Sequence, residues 1–154
     1  MQPLFKLLRP VLLFALGIGL GKAFWVLVGQ PALLIRIHSL TAVEFGGALY
    51  LTFRVSRHPD LGVMQLWLGN LILFAFCQGI LLAGMLYTWL TGTATAFHDP
   101  ELLRAMLGYA PEVGGHALLH VVNWIVIAPT IVTWVSGAPI LYLRRKLASL
   151  HPGE

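Results

Sequence analysis

Residues 63–90 read VMQLWLGNLILFAFCQGILLAGMLYTWL, an uninterrupted run without Asp, Glu, Lys or Arg. An α-helix rises about 1.5 Å per residue and the hydrocarbon core of a bilayer is about 30 Å thick, so about 20 apolar residues cross it. This stretch is long enough to cross with a tilt or to project beyond the hydrocarbon. It predicts a membrane-spanning helix, and three further segments of the chain follow the same pattern.

The three further segments predict a bundle of four spanning helices. They comprise residues 10–28, 32–53 and 116–143. Pro31, in the short connection between the first two, suits the first turn of a helix and predicts a tight hairpin. The 154-residue chain is 58% hydrophobic and only 10% charged, whereas soluble domains are about a quarter charged. We predict an all-α integral membrane four-helix bundle that forms a single domain over residues 1–154.

The connection between the last two spans is the only long one, and it predicts a short amphipathic helix on the outer membrane surface. Asp99 suits the N-cap of this helix and Pro100 its first position. Its apolar face then consists of Leu102, Leu103, Met106 and Leu107. A helix of this kind lies in the membrane interface or covers the loop end of the bundle.

The basic residues predict the direction of the spans. They cluster before the first span, after the second and after the fourth: Lys6, Arg9, Arg54, Arg57, Arg144, Arg145 and Lys146. The opposite side carries Asp99, Glu101 and Glu112 against a single Arg104. Positive charge stays inside, so we expect both termini in the cytoplasm and a bacterial inner membrane as the location. The net charge of +4 therefore indicates a lipid surface as partner, and not nucleic acid.

A competing interpretation makes residues 1–22 a cleaved signal peptide. The apolar run continues through residues 24–28, and no small-x-small cleavage site precedes a polar start. An uncleaved first span is therefore the favoured interpretation.

Ionisable groups inside a bilayer are costly, so each one requires an explanation. The polar side chains within the predicted spans include Lys22, Arg36, Glu44 and Gln78. We expect Lys22 to pair with Glu44 across the first hairpin, while the long stem of Arg36 carries its charge to the surface. Gln78, together with Asn70, is expected to hydrogen-bond across helices. A proton or quinol path along these amides is the alternative.

His116 and His120 are four residues apart, so they share a helix face. Neutral imidazole binds haem iron, copper or zinc. If His38 of the second span faces them, the three histidines predict a site for haem b or a metal ion between two helices. The alternative is that histidines near an interface bond only to water, headgroups or backbone carbonyls.

Two features predict irregular or close helix packing. Gly17 and Gly21 form a GxxxG motif, which allows helix backbones to approach within the chain or across to a partner. Pro129 lies in the middle of the fourth span and predicts a kink. Thr130 and Thr133 are expected to bond the carbonyls that the kink frees.

The chain contains no nucleotide-binding, hydrolase or covalent haem-attachment motif, so no enzyme class is indicated. The leading hypothesis is a small accessory or scaffold subunit that binds other membrane subunits in a larger inner-membrane complex, of an energy-converting kind. The first alternative is an electron-transfer protein that binds haem b or a metal through His38, His116 and His120. The second is a membrane enzyme that acts on a lipid or quinone.

Overall fold

The computed structural model describes residues 2–28, 39–92, 97, 104, 108–109 and 111–150. Within them the chain forms the helices α1 (Gln2–Leu27), α2 (Leu40–Val55), α3 (Val63–Thr91) and α4 (Val113–Leu150). This described part contains no strand, so the predicted all-α class is confirmed for it.

Three helices, α1, α3 and α4, are long and apolar enough to cross a membrane. α2 covers only the later part of the predicted 32–53 span, because residues 29–38 lie outside the described residues. The predicted loop helix lies outside them as well, apart from Arg104, which is helical.

Two of the helices extend beyond the predicted spans. α1 begins at Gln2 and runs through Pro10, and α4 extends beyond residues 116–143 at both ends. The basic residues that flank these two spans lie within the helices, because a helix bonds its own backbone groups as well in the interface as in the hydrocarbon. At the start of α2 the Ser39 hydroxyl caps the helix by accepting a hydrogen bond from the Ala42 N–H (3.2 Å).

Helix α3 lies at the centre of the bundle and packs against the other three helices. It runs antiparallel to α2, because Gly69 near its start lies against Leu51, while Leu73 lies against the earlier Gly47. It runs parallel to α1, whose early residue Leu4 also meets Gly69. Helix α4 runs antiparallel to α3, because Gly137 in its later part lies against Leu66 near the start of α3. The described helices therefore alternate in direction along the chain, as neighbouring spans of an up-and-down bundle do.

The first glycine of the predicted motif, Gly17, makes no close contact, whereas other glycines do. A Cβ atom at Gly19 would lie 2.8 Å from Ile80, whereas one at Gly17 would meet nothing within 4 Å. Gly47 is the tightest site between three helices, since its Cβ would lie 2.6 Å from Leu73 and 2.7 Å from Val11. In α1 the closest approach to α3 thus lies between the two glycines of the GxxxG pattern.

The fourth helix is irregular around Pro129, where a kink was predicted. Two π-helical segments, Val121–Ile127 and Val132–Gly137, flank a single α-helical turn, Ala128–Ile131. The Thr130 hydroxyl donates to the carbonyl of Val126 (2.8 Å), and that of Thr133 to the carbonyl of Pro129 (2.7 Å). Neither reaches the carbonyl four residues before Pro129, which an α-helical N–H would have bonded.

The basic residues that set the predicted orientation lie at one end of this bundle. Arg145 near the end of α4 ties this end together, because its Nη2 donates to the carbonyls of Val55, His58 (2.9 Å) and Leu61 in the α2–α3 connection. The neighbouring Arg144 guanidinium lies 4.9 Å from the ring centroid of Phe53.

A candidate site in a buried polar chain

Four polar side chains from three helices meet inside the bundle, between its middle and the end opposite Arg145. They are Glu44 of α2, Gln78 of α3, and His116 and His120 of α4, which we call the polar chain. Glu44 and Gln78 are 0% and 1% exposed, and His116 is buried as well. Such burial is rare for a carboxylate, which stays inside a protein only with partners.

Hydrogen bonds connect the four side chains in sequence. Gln78 Nε2 donates to Glu44 Oε1 at 2.5 Å. The other end of the same amide, Gln78 Oε1, lies 2.6 Å from His120 Nδ1. His120 Nε2 in turn lies 3.2 Å from His116 Nε2, and the two rings meet edge to face with centroids 4.8 Å apart. The prediction that the two histidines share a helix face is confirmed.

The chemistry of these groups fixes the direction of the donors. A carboxylate only accepts, so the Gln78 NH2 must face an ionised Glu44 and its oxygen must face His120. His120 then carries its proton on Nδ1, which leaves Nε2 as the acceptor for His116 Nε2–H. In this arrangement every hydrogen-bond donor of the polar chain is directed towards Glu44.

One atom of the polar chain is not satisfied. Glu44 Oε2 is fully buried and has no hydrogen-bond partner among the described residues. A buried acceptor in this state costs about 1–3 kcal/mol, and unsatisfied buried polar groups are few in folded proteins. The Asn70 amide oxygen Oδ1 is in the same state, so what distinguishes Glu44 is that it can be neutralised by taking up a proton.

A second polar contact between α3 and α4 lies further along the bundle and is of the ordinary helix-joining kind. Asn70 Nδ2 donates to Thr133 Oγ1 at 2.9 Å, and Trp67 Nε1 donates to Thr130 Oγ1 at 3.1 Å. The expected role of Asn70 is thus confirmed. Gln78 makes the expected contacts between helices too, but both of its partners are ionisable.

The predicted pair between Lys22 and Glu44 is not formed. Glu44 bonds to Gln78 instead, while the Lys22 ammonium lies 5.4 Å from the ring centroid of Phe97. Phe97 is buried against Gly84, where a Cβ atom would come within 2.4 Å of the ring.

The other predicted site residues are divided between the described and the undescribed parts of the chain. Arg36 and His38 lie outside the described residues. Within the described residues, no three His, Cys, Asp or Glu side chains come together as a metal site requires. His116 and His120 are on one helix with adjacent Nε2 atoms, so they cannot approach one haem iron from its two opposite faces.

Two clefts open on the outside of the bundle. The first, of about 420 Å³, lies between α1 and α2 and has Ala42, Gly46 and Gly47 on its α2 side. The second, of about 370 Å³, lies between α1 and α3, where Gly19 and Gly84 line it. Their linings are mostly apolar.

Comparison with protein families, curated proteins and solved structures finds no match to this chain. The role of the protein is therefore argued from the polar chain, the clefts and the arrangement of the helices.

Proposed function

We propose that this protein is a small accessory subunit of a larger inner-membrane complex, of an energy-converting kind, in which it binds other membrane subunits. The observation that carries the proposal is the cleft between α1 and α2. Gly46 lines this cleft, and a Cβ atom there would meet nothing within 4 Å. Small residues let helices approach closely in membranes, so a spanning helix of a partner subunit fits this groove.

The proposal includes a fourth crossing, formed by α2 together with the residues before it over 32–53. In this topology both termini lie in the cytoplasm of a bacterium. Two observations support it: the described helices alternate in direction, and the basic residues lie at one end of the bundle. Positive residues favour the cytoplasmic side.

Cysteine labelling in intact cells tests the topology. In a Cys77→Ala background, Ser149→Cys should escape a membrane-impermeant maleimide until the cells are opened. Tyr109→Cys, at the other end of the bundle, should react in intact cells. Both positions are exposed, so the reverse pattern, or equal labelling of both, contradicts the proposed orientation.

Extraction in a mild detergent tests the accessory role. The tagged protein should migrate on a native gel well above its own mass of 16.9 kDa, together with other membrane subunits. Gly46→Leu should release these partners because the side chain fills the cleft. Gly79→Leu is the matched control, since Gly79 is also exposed with open space around it but does not line the cleft. A wild-type protein that runs alone refutes the proposal.

A second candidate function, the binding of a metal ion, is favoured by the geometry of His116 and His120, whereas haem b would require only one of them together with His38 on the opposite face. Metal ligands at about 2.0–2.1 Å in a tetrahedral site lie about 3.3 Å from each other, close to the 3.2 Å between the two Nε2 atoms. Metal-bound histidines usually have their other nitrogen held by an oxygen, as Gln78 Oε1 holds His120 Nδ1. His38 was predicted to complete the site.

An absorption spectrum and elemental analysis of the purified protein decide this second candidate. A Soret band or a stoichiometric metal, lost in His120→Ala and kept in His58→Ala, supports it. His58 lies in the α2–α3 connection, far from the polar chain. The absence of both signals removes the candidate.

A further inference from the structure

The polar chain has a property that neither helix packing nor a partner interface requires. The amide group of Gln78 can reverse its direction without any movement of the backbone, because a half-turn of the side-chain amide interchanges its O and NH2 groups. The two partners of the amide, Glu44 and His120, each exist in a donor and an acceptor form. The polar chain therefore has two arrangements, not one, in which all three of its internal contacts are hydrogen bonds.

We propose that Glu44 is a proton-binding site and that Gln78 transmits its protonation state to the two histidines. With Glu44 ionised, the amide NH2 faces Glu44, His120 carries its proton on Nδ1 and His116 donates through Nε2. With Glu44 protonated, its O–H faces the amide oxygen and the amide NH2 faces an unprotonated His120 Nδ1. His120 then donates through Nε2 to His116.

The two arrangements differ by one proton, supplied by water. In the second, an O–H bond has formed at Glu44, the N–H of His120 has moved from Nδ1 to Nε2, and the N–H of His116 has moved from Nε2 to Nδ1. Each imidazole stays neutral and no other bond forms or breaks. The 2.5 Å, 2.6 Å and 3.2 Å contacts are short enough for hydrogen bonds in either direction.

The unpartnered oxygen of Glu44 agrees with a site that changes its proton content. Oε2 is buried without a partner among the described residues, so the ionised form is kept without the full set of donors that carboxylates usually have. Intramembrane chains of Glu and His are typical of proton pathways. The polar chain connects α2 through α3 to α4. A proton bound by Glu44 on α2 therefore changes which ring nitrogen of His120 on α4 is the hydrogen-bond donor.

Charged or titratable groups lie on each helix packed around this site. From α1 the charged group is the Lys22 ammonium, which lies 5.4 Å from the ring centroid of Phe97. From α3 the titratable group is the buried thiol of Cys77, the sequence neighbour of Gln78. From α4 the nearest groups are the two histidines themselves. The proposal depends only on the hydrogen bonds of the polar chain, so it can be tested independently of the accessory role.

The experiment is a pH titration of the purified protein in lipid vesicles, followed by two signals. Infrared difference spectra report the protonated carboxyl of Glu44, and nitrogen NMR of labelled histidine reports the His120 tautomer. We expect the carboxyl band to appear and the His120 proton to move from Nδ1 to Nε2 with one common midpoint. Glu44→Gln should abolish the band and hold His120 in a single tautomer.

Two variants separate the coupling from general damage. Gln78→Leu should leave a titrating carboxyl band but abolish the tautomer change. Asn70→Leu, which removes the other amide contact between α3 and α4, should preserve both signals and their common midpoint. A His120 tautomer that stays constant while Glu44 titrates in the wild type overturns the proposal, whether or not Gln78→Leu folds. A tautomer change that persists in folded Gln78→Leu overturns it as well.

Discussion

Replacing Gly47 with alanine should destabilise the bundle, while the same change at its neighbour Gly46 should not. A Cβ atom at Gly47 would come 2.6 Å from Leu73 and 2.7 Å from Val11, on two other helices. Such overpacking costs about 1–3 kcal/mol. A Cβ atom at Gly46 meets nothing within 4 Å. The gain in helix propensity from Gly to Ala, about 1 kcal/mol, is common to both variants and cancels in their difference.

The assay is equilibrium unfolding in mixed micelles, with helix content and tryptophan fluorescence as the two probes. We expect Gly47→Ala to unfold with a free energy about 1–3 kcal/mol below that of Gly46→Ala, as the overpacking cost requires. Adding Val11→Ala should restore part of the loss, because it removes the Cγ1 atom that lies 2.7 Å from the new methyl group. A Gly47→Ala protein as stable as Gly46→Ala refutes the proposed close packing of α1, α2 and α3 at this position.

Three further predictions follow from single contacts. Thr133→Val should cost about 1–3 kcal/mol because it leaves the buried Asn70 amide without its acceptor, and a double-mutant cycle with Asn70→Leu should recover most of this cost; independent, additive losses would contradict the contact. Arg145→Met should speed hydrogen exchange in the α2–α3 connection, whose carbonyls it holds, whereas Arg144→Met, which removes only a ring contact, should not; equal effects would argue against the tie. Cys77 is 0% exposed, so it should resist a membrane-permeant maleimide in mild detergent and react only on unfolding; rapid labelling of the folded protein would show that the core of α3 is open.

The helices were predictable and their ends were not. The run in residues 63–90 corresponds closely to α3, because its limits are set by Gly62 and Gly92. Pro10 was taken as the start of a span, yet α1 passes through it from Gln2. Hydropathy marks where the hydrocarbon ends, and a helix that is stable in both environments does not have to end there.

The sequence was enough to predict which polar residues belong to the site, but not which of them form hydrogen bonds with each other. The spacing of His116 and His120 was enough to place them together, because both belong to one helix. The partner of Glu44 depends on the rotation of two other helices about their axes, which composition does not specify. Lys22 and Gln78 both lay within reach by depth, and only the packing of α2 against α3 selects Gln78.

The irregular course of α4 explains how one helix serves two contacts with α3. His120 and Thr133 both bond α3, through Gln78 and Asn70. At about 100° per residue, thirteen residues of regular α-helix would rotate the second side chain about 220° from the first, to the far side of α4. A π-helix bonds five residues apart and turns only about 80° per residue. With nine of the thirteen steps in the two π-helical segments, the difference falls to about 40°, which places both side chains towards α3. The wide turns around Pro129 are therefore what allows α4 to hold the polar chain and the Asn70 contact at the same time.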